Sequence, residues 1–291
     1  MHVLIAGCGW LGKSLGRALA ARGDRVTGVR RSAAAAAELR GLGIEPLLLD
    51  LADWHAMRAI PPDVEAIVAC QSANSDEVDA YRAAYVEATG NLLEAARSLP
   101  LRAFAYTGST GVFGQRDGSD VDETAPPSPA GASAEALAEA ERLVLDAAHA
   151  GVPARIVRLS GLYGPGRTGT IERVRSGALA LGTGDDVFMN FCHLDDAVAA
   201  VTAAIDRGRS GAIYHATDAH PARRREVVEW IAARLGIPAP RLPGDGDPIP
   251  DGRRGANRRI LGERTRAEFQ LTLAWPSFRE GLAPFLPPRR G

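Results

Sequence analysis

The sequence predicts an α/β protein, a doubly wound parallel sheet with a smaller carboxyl-terminal lobe. Three observations predict it. An apolar run at residues 3–6 leads directly into Gly7-Cys-Gly9-Trp-Leu-Gly12, and Leu11, Leu15 and Leu19 then recur at helical spacing. Strand-like and helix-like segments alternate from there to residue 159. Beyond residue 160 the alternation weakens into glycine- and proline-rich loops.

In chain order, residues 3–6 read as a buried parallel strand, and a helix opens at Gly12. Residues 25–29 are a second strand, ending in Arg30-Arg31-Ser32, and residues 33–40 are helical on propensity. A third strand at 44–49 runs into Asp50-Leu-Ala-Asp53, with Asp53 placed to cap the helix after it. A fourth strand at 65–70 leads to Gln71-Ser-Ala-Asn74. A long helix at 76–98 carries Tyr81 and Tyr85. A fifth strand at 101–107 ends in Gly108-Ser-Thr-Gly-Val-Phe-Gly114.

Residues 117–131 are a polar, proline-rich loop, and 133–150 a helix with Ser133 as cap and Glu135 in its first turn. A sixth strand at 153–159 gives way to Ser160-Gly-Leu-Tyr163-Gly-Pro-Gly-Arg167. Asn190 to Asp196 open another helix, with Asp195 or Asp196 at its start. A strand is expected at 212–216, a helix at 226–235, a loop at 238–254, and a helix at 276–285 with Pro276 in its first turn. The expected organisation is a dinucleotide-binding Rossmann domain over residues 1–160, to which segments around 186–216 return. Residues 161–291 form a smaller substrate-binding lobe.

Composition narrows the function classes. The chain has 291 residues, 46% of them hydrophobic, enough for a sizeable core. A net charge of -1 argues against a nucleic-acid partner. Cys8, Cys70 and Cys192 are scattered without a C-x-x-C pair, which argues against structural zinc and fits a reducing cytoplasm. No apolar run reaches the roughly 20 residues of a membrane span, and the apolar start lacks the basic leader of a secretory signal. His215 and His220 lack a ligand partner at usable spacing, so no metal site is expected. Lys13 is the single lysine; every other basic residue is arginine or histidine.

The chemistry starts at the glycines. Gly7 permits a tight turn, Gly9 lets a diphosphate approach the backbone, and Gly12 lets helix and strand pack closely. Free amides and the positive end of the helix dipole then hold the phosphates. About 20 residues past such glycines an NAD site carries Asp or Glu for the ribose hydroxyls. Arg30 and Arg31 stand there instead, suited to a 2′-phosphate, so NADP is preferred and NAD is less favoured.

Several stretches together resemble the extended short-chain dehydrogenase/reductases, the group of the nucleotide-sugar epimerases and dehydratases. They are the glycine motif, Asp50-Leu-Ala-Asp53, Thr89-Gly-Asn91-Leu-Leu-Glu-Ala-Ala96, Ser109-Thr-Gly-Val-Phe-Gly114, Glu141-Arg-Leu143, residues 158–165 and His193-Leu-Asp-Asp196. The likeness spans nearly the whole chain. The spacing G-x-G-x-x-G, in place of G-x-x-G-x-x-G, resembles the atypical branch. The resemblance implies that Gly7, Gly9, Trp10, Leu11 and Gly12 hold the diphosphate, that Asp50 and Leu51 border the adenine, and that Cys70 and Gln71 run beside the ribose. It places Ser109 at the active-site serine and Ser160 and Gly161 beside the nicotinamide. It also implies a homodimer through the helices at 76–98 and 133–150.

One part of the pattern is absent. Relatives place a tyrosine and, four residues on, a lysine in the helix at 133–150. Here Ser133 and Leu137 occupy those positions, and the only lysine is in the first helix. Loss of such a general acid typically costs on the order of a hundred- to ten-thousand-fold in rate. Tyr163, in the glycine-proline loop, is taken as its catalytic substitute beside Ser109; Tyr85 is a further candidate, and His193 reads as structural. Arg253, Arg254 and Arg258 are available to grip an anionic group, while Arg223-Arg-Arg225 reads as a solvated helix start. Two functions stay open. One is an NADP-dependent oxidoreductase, or an epimerase/dehydratase-like enzyme, acting on a small polar, sugar-related substrate. The other is an NADP-binding regulatory or scaffold protein without redox turnover.

Overall fold

The computed structural model describes residues 1–75, 77–182, 187–242 and 256–288. The amino-terminal half runs β1 (His2–Ala6), α1 (Trp10–Ala21), β2 (Arg25–Arg30), α2 (Ala33–Arg40), β3 (Glu45–Leu48), β4 (Ala66–Ala69), α3 (Val78–Tyr81), α4 (Ala88–Ala96) and β5 (Ala103–Ser109). Next come β6 (Ser119–Val121), α5 (Ala132–His149), β7 (Ala154–Leu159), β8 (Gly161–Tyr163), α6 (Gly169–Arg175), β9 (Phe188–Met189), β10 (Phe191–His193), α7 (Leu194–Arg207) and β11 (Ile213–Ala216). Last are β12 (Ala222–Arg223), α8 (Arg224–Leu235), β13 (Arg258–Ile260), α9 (Glu263–Phe269) and α10 (Phe278–Leu282).

The central sheet has seven parallel strands in the order β11-β7-β5-β4-β1-β2-β3. Chain order runs outward from β1 on one side and from β4 on the other, so the reversal lies between them. The crevice beyond the carboxyl ends of those two strands is the switch point where such sheets take ligands. The strands alternate strictly. Val3, Ile5, Ala66, Val68, Ala103 and Ala105 face α1 and α7. Leu4, Ala6, Ile67, Ala69, Phe104 and Tyr106 face α4 and α5. That period of two is why residues 3–6, 66–69 and 103–105 are apolar without a break: both faces are buried.

Several helix starts differ from the expectation. Asp53 does act as a cap, its Oδ1 accepting from His55 N at 2.9 Å, but the element it starts is a 3-10 helix, Trp54–Ala59. Gly131, at φ 95°, is the N-cap of α5, and Ser133 lies inside the first turn. Pro276 lies before α10 and not in its first turn; Ser277 caps the helix, its Oγ accepting from Arg279 N at 3.1 Å. The expected helix at 76–98 is interrupted. After α3, residues Arg82–Glu87 form a π-helix before α4 resumes; Asp76 lies outside the described residues.

A separate apolar cluster organises the carboxyl-terminal lobe, with Ile171, Val174, Phe191, Val227, Ile231, Phe278 and Leu282 buried together. Where this lobe meets the sheet, Asp218 is 2% exposed. Its N–H donates to the Phe191 carbonyl at 2.7 Å, and its Oδ1 accepts from His220 N at 3.2 Å. Burial pushes its carboxyl up to about 8, with Asp196 and Glu280 adding to the rise and Arg266 opposing it. A folded-state pKa above the unfolded value means that stability falls as pH climbs from about 4 towards 8. Asp218→Asn removes that loss. Its melting temperature is expected to gain on the wild type from pH 5 to pH 8.5, and a constant difference across that range would refute the assignment.

Candidate functional site

The glycine loop bridges β1 and α1 at the switch point. Gly7 is left-handed, φ 79°, and a Cβ there would sit 2.5 Å from Gln71 N. A Cβ on Gly12 would press on Ile5 Cγ2 at 3.0 Å and Cys70 Sγ at 3.2 Å, so this glycine brings α1 down onto the sheet. Gly9 is different: the nearest atoms to its added Cβ are Arg30 Nη1 at 3.5 Å and Gly7 O at 3.8 Å, which leaves its side open. No side chain caps α1, so its first-turn amides keep their donors for a ligand. This open cradle above an uncapped helix start fits the diphosphate of a dinucleotide.

Around it, Arg30 is pinned by a bond from Nη1 to the Cys8 carbonyl at 3.1 Å, beside Gly9. Arg31 and Ser32 continue that wall. Asp50 and Leu51 line the same end, and Asn91 Nδ2 holds their loop by donating to the Leu51 and Ala52 carbonyls at 3.0 and 3.1 Å. Cys70 donates from Sγ to the Gly7 carbonyl at 3.4 Å, and burial pushes its thiol well above the usual range. Gln71 donates from Nε2 to Thr89 Oγ1 at 3.0 Å, while its Oε1 is buried without a partner. The Ser160 hydroxyl is likewise buried and unpartnered, and Gly161 lets β8 pass within contact of the Asn190 carbonyl. Gly7, Gly9, the Arg30–Ser32 wall, Asp50, Leu51, Cys70, Gln71, Ser160 and Gly161 line one cleft of about 1280 Å³, while Gly12 packs beneath it. Ordinary ligand pockets span roughly 300–1,000 Å³, so a dinucleotide and a second small molecule fit together.

The far end of the cleft contains Ser109. Its Oγ accepts from Gly111 N at 3.0 Å, capping the short turn Thr110–Val112 at the end of β5. That turn rests on a buried pair: Arg158 reaches Glu141 with Nε at 3.0 and 3.2 Å and Nη2 at 2.8 Å, and stacks 4.8 Å from the Phe113 ring centroid. Arg258 donates from Nη2 to the Thr110 carbonyl at 2.8 Å and lines the cleft; Arg253 and Arg254 lie outside the described residues. On α5, Ser133 lies in the first turn and Leu137 presents an apolar wall to the cleft.

Tyr163 is part of the cleft lining, but its hydroxyl, which the expected catalytic role needs, is turned away from it. It is 3% exposed, and its hydroxyl has no hydrogen-bond partner and packs against Gly281 in the core of the second lobe. Phe191 and His193 pack edge-on against its ring at 5.7 and 5.2 Å, and burial pushes the phenol far up. His193 is structural, as expected from sequence: its Nδ1 accepts from Asp195 N at 3.2 Å to cap α7. The arginine run at 223–225 is only partly a solvated start. Arg225 is exposed, but Arg223 stacks 3.8 Å from the Phe188 centroid and Arg224 is buried against the cleft.

Tyr85 is a candidate from sequence, but the π-helical turn that carries it is not legible there, nor is the charge of the site. Tyr85 lies in the π-helical segment and lines the cleft, and burial raises its phenol above the usual range. A single π-turn inside an α-helix is frequent at functional sites, and residue spacing alone gives no sign of it. Arg30 and Arg31 at one end and Arg116, Arg167, Arg173, Arg224 and Arg258 at the other make seven arginines. Asp50 is the one carboxylate in the lining among the described residues. A chain of net charge -1 has gathered its cations where an anionic ligand would lie.

A glycine loop at the switch point of a doubly wound sheet, opening on a cleft shared with a second lobe, defines a protein of the NAD(P)-binding class. The sequence model of the NAD dependent epimerase/dehydratase family matches residues 3–217, and the chain belongs to that family. It is an NAD(P)-dependent enzyme of the short-chain dehydrogenase/reductase type. It is similar to a 3-diazoavenalumate denitrifying reductase of Streptomyces sp., 32% identical over 97% of this chain and 99% of that protein. It is also 32% identical to Protein YeeZ of Escherichia coli (strain K12), over 82% of this chain and 86% of that one. Among solved structures, a putative NAD-dependent epimerase/dehydratase from Methylobacillus flagellatus superposes with a TM-score of 0.75, at 29% identity over 97% and 96% of the two chains. Among the described residues no helix is long and apolar enough to cross a membrane.

Proposed function

We propose that the chain is an NADP-dependent oxidoreductase, or an epimerase/dehydratase-like enzyme, acting on a small polar, sugar-related substrate without the usual tyrosine–lysine dyad. One observation carries the reading: a single cleft joins the uncapped start of α1, the Arg30–Arg31 wall and the Ser109 hydroxyl. When bound, NADP supplies hydride chemistry at its nicotinamide. In this reading the amides after Gly9 hold the diphosphate, Arg30 and Arg31 take the 2′-phosphate, and Asp50 and Leu51 border the adenine. Cys70 and Gln71 flank the ribose, and Ser160 and Gly161 run beside the nicotinamide. Ser109 positions and polarises the reacting oxygen; a serine without a base is a weak proton donor. Residues 1–160, with the returning strand at 213–216, bind the coenzyme, and the second lobe supplies the substrate wall.

Coenzyme titration followed by intrinsic fluorescence tests this directly. NADPH is expected to bind more tightly than NADH. Removing both charges, Arg30→Ala with Arg31→Ala, should weaken NADPH about 10- to 100-fold and leave NADH nearly unchanged. Equal affinities for the two coenzymes in the wild type would overturn the NADP assignment.

The replacement of the dyad by Ser133 and Leu137 favours a second reading, coenzyme binding without redox turnover. Incubation with NADPH and a broad panel of small aldehydes, ketones and keto sugars separates the two. Under the first reading NADPH absorbance decays, and Ser109→Ala slows the decay about 10- to 1,000-fold. Tight binding with no oxidation across the panel supports the second.

A further inference from the structure

The loop after β8 returns to the glycine loop at one point. The Trp10 indole donates from Nε1 to the Pro165 carbonyl at 2.9 Å. The Arg167 guanidinium lies 5.3 Å from the centroid of the same indole, within cation–π range. The turn carrying it is closed on itself, with Arg167 N donating to the Gly164 carbonyl at 2.9 Å and Gly164 N donating back at 3.3 Å. Gly166, left-handed at φ 74°, sits under the indole edge, where an added Cβ would lie 3.9 Å from Nε1.

Trp10 is the first residue of α1, in the uncapped turn that faces the diphosphate cradle. Arg167 lines the same cleft, near enough to Tyr85 for its charge to act on that phenol. Among the described residues Arg167 forms no ion pair, although many exposed arginines of this chain do. The helix end offers only roughly half a positive charge. A coenzyme diphosphate carries two negative ones, and Arg30, the cation beside Gly9, is assigned to the 2′-phosphate in this reading, which leaves room for a further full charge from the other side.

We propose that Trp10, Pro165 and Arg167 form a clasp over the coenzyme diphosphate. The amides of α1 hold it from the sheet side and Arg167 caps it from the second lobe, with the indole–carbonyl bond keeping the two loops together. The inference rests on the reading of the cleft as an NADP site and adds a contact from outside the glycine motif. It also makes coenzyme release depend on parting the two loops.

The test uses two probes on the full chain: NADPH, which contains the diphosphate, and 2′-AMP, which has the adenosine and 2′-phosphate without it. Arg167→Ala is expected to weaken NADPH about 10- to 100-fold while 2′-AMP changes by less than about twofold. Arg167→Lys, which keeps the charge, should fall between. Trp10→Phe keeps a ring under Arg167 and deletes the Nε1 donor. It should release NADPH about 3- to 10-fold faster in a stopped-flow chase. The two substitutions should be non-additive in a double-mutant cycle, because they act through one contact.

If the wild type binds neither NADPH nor NADH, the NADP reading falls and takes the clasp with it. If the wild type binds NADPH and Arg167→Ala binds it equally well, only the clasp falls. A parallel loss of 2′-AMP in Arg167→Ala, with an unchanged melting temperature, would also overturn the clasp, since the contact would then lie on the adenosine half.

Discussion

Glu141→Ala is expected to destabilise the folded chain by about 3–5 kcal/mol, among the larger effects a single substitution produces. The reason is the partner left behind. Arg158 is 0% exposed and Glu141 2%, and three hydrogen bonds join them. Removing the carboxylate strands a buried guanidinium whose bond from Nη1 to the Ala125 carbonyl is long at 3.4 Å. Exposed pairs of this chain, such as Arg142–Asp146, should lose less than about 1 kcal/mol on the same treatment. Replacing both partners together, Glu141→Leu with Arg158→Met, should restore much of the loss, because a buried pair also carries a desolvation cost. Chemical denaturation of the three variants checks this, and a loss below about 1 kcal/mol in Glu141→Ala would show that the pair is not buried as described. The effect reaches the site. A Cβ on Gly108 would lie 2.9 Å from Glu141 Oε1, so the carboxylate packs directly under the strand end that presents Ser109.

Gly7→Ala is expected to reduce coenzyme affinity about 100-fold or more, and to cost about 1–3 kcal/mol in stability through its left-handed backbone. Its new methyl group would meet the Gln71 backbone, which cannot move without shifting β4. Gly9→Ala separates fold from binding. Its Cβ meets only the Arg30 guanidinium at 3.5 Å and the Gly7 carbonyl at 3.8 Å, so the melting temperature should hold while the methyl obstructs the diphosphate. Calorimetric titration with NADPH beside thermal unfolding checks both. If Gly9→Ala binds like the wild type, the diphosphate does not lie over that residue.

Much of the fold was legible because its signals are local. The strand at 3–6 and the leucines at 11, 15 and 19 state their own periodicity, and they occupy the core as that periodicity requires. The three glycines could be given separate roles because each answers a steric demand made within a few residues or by the adjacent strand. Helix caps were less legible. Ser133 carries the expected cap chemistry, yet Gly131 holds the cap geometry, and the last helix starts after Ser277 rather than at Pro276. The choice among neighbouring residues depends on how the incoming loop approaches.

Residues whose meaning depends on distant partners were not legible. Tyr163 reads in sequence as a loop residue and a substitute acid, whereas it ends β8 on the cleft wall. Its hydroxyl is instead turned into the second lobe, because Gly281 on α10 leaves room for it there. Tyr85 looks like any helical tyrosine until the π-turn places it on the cleft wall.

Sequence by itself determined the alternating sheet, the position of the glycine loop, the arginines at the end of β2 and the lack of a tyrosine–lysine dyad. All of these are written in residue type and short-range spacing. Tertiary structure alone decided which side chains share the cleft, that the Tyr163 hydroxyl turns away from it, and that the loop at Pro165 and Arg167 reaches Trp10. Those contacts join residues far apart in the chain, and only the closing of two separate apolar cores around the sheet brings them within bonding distance.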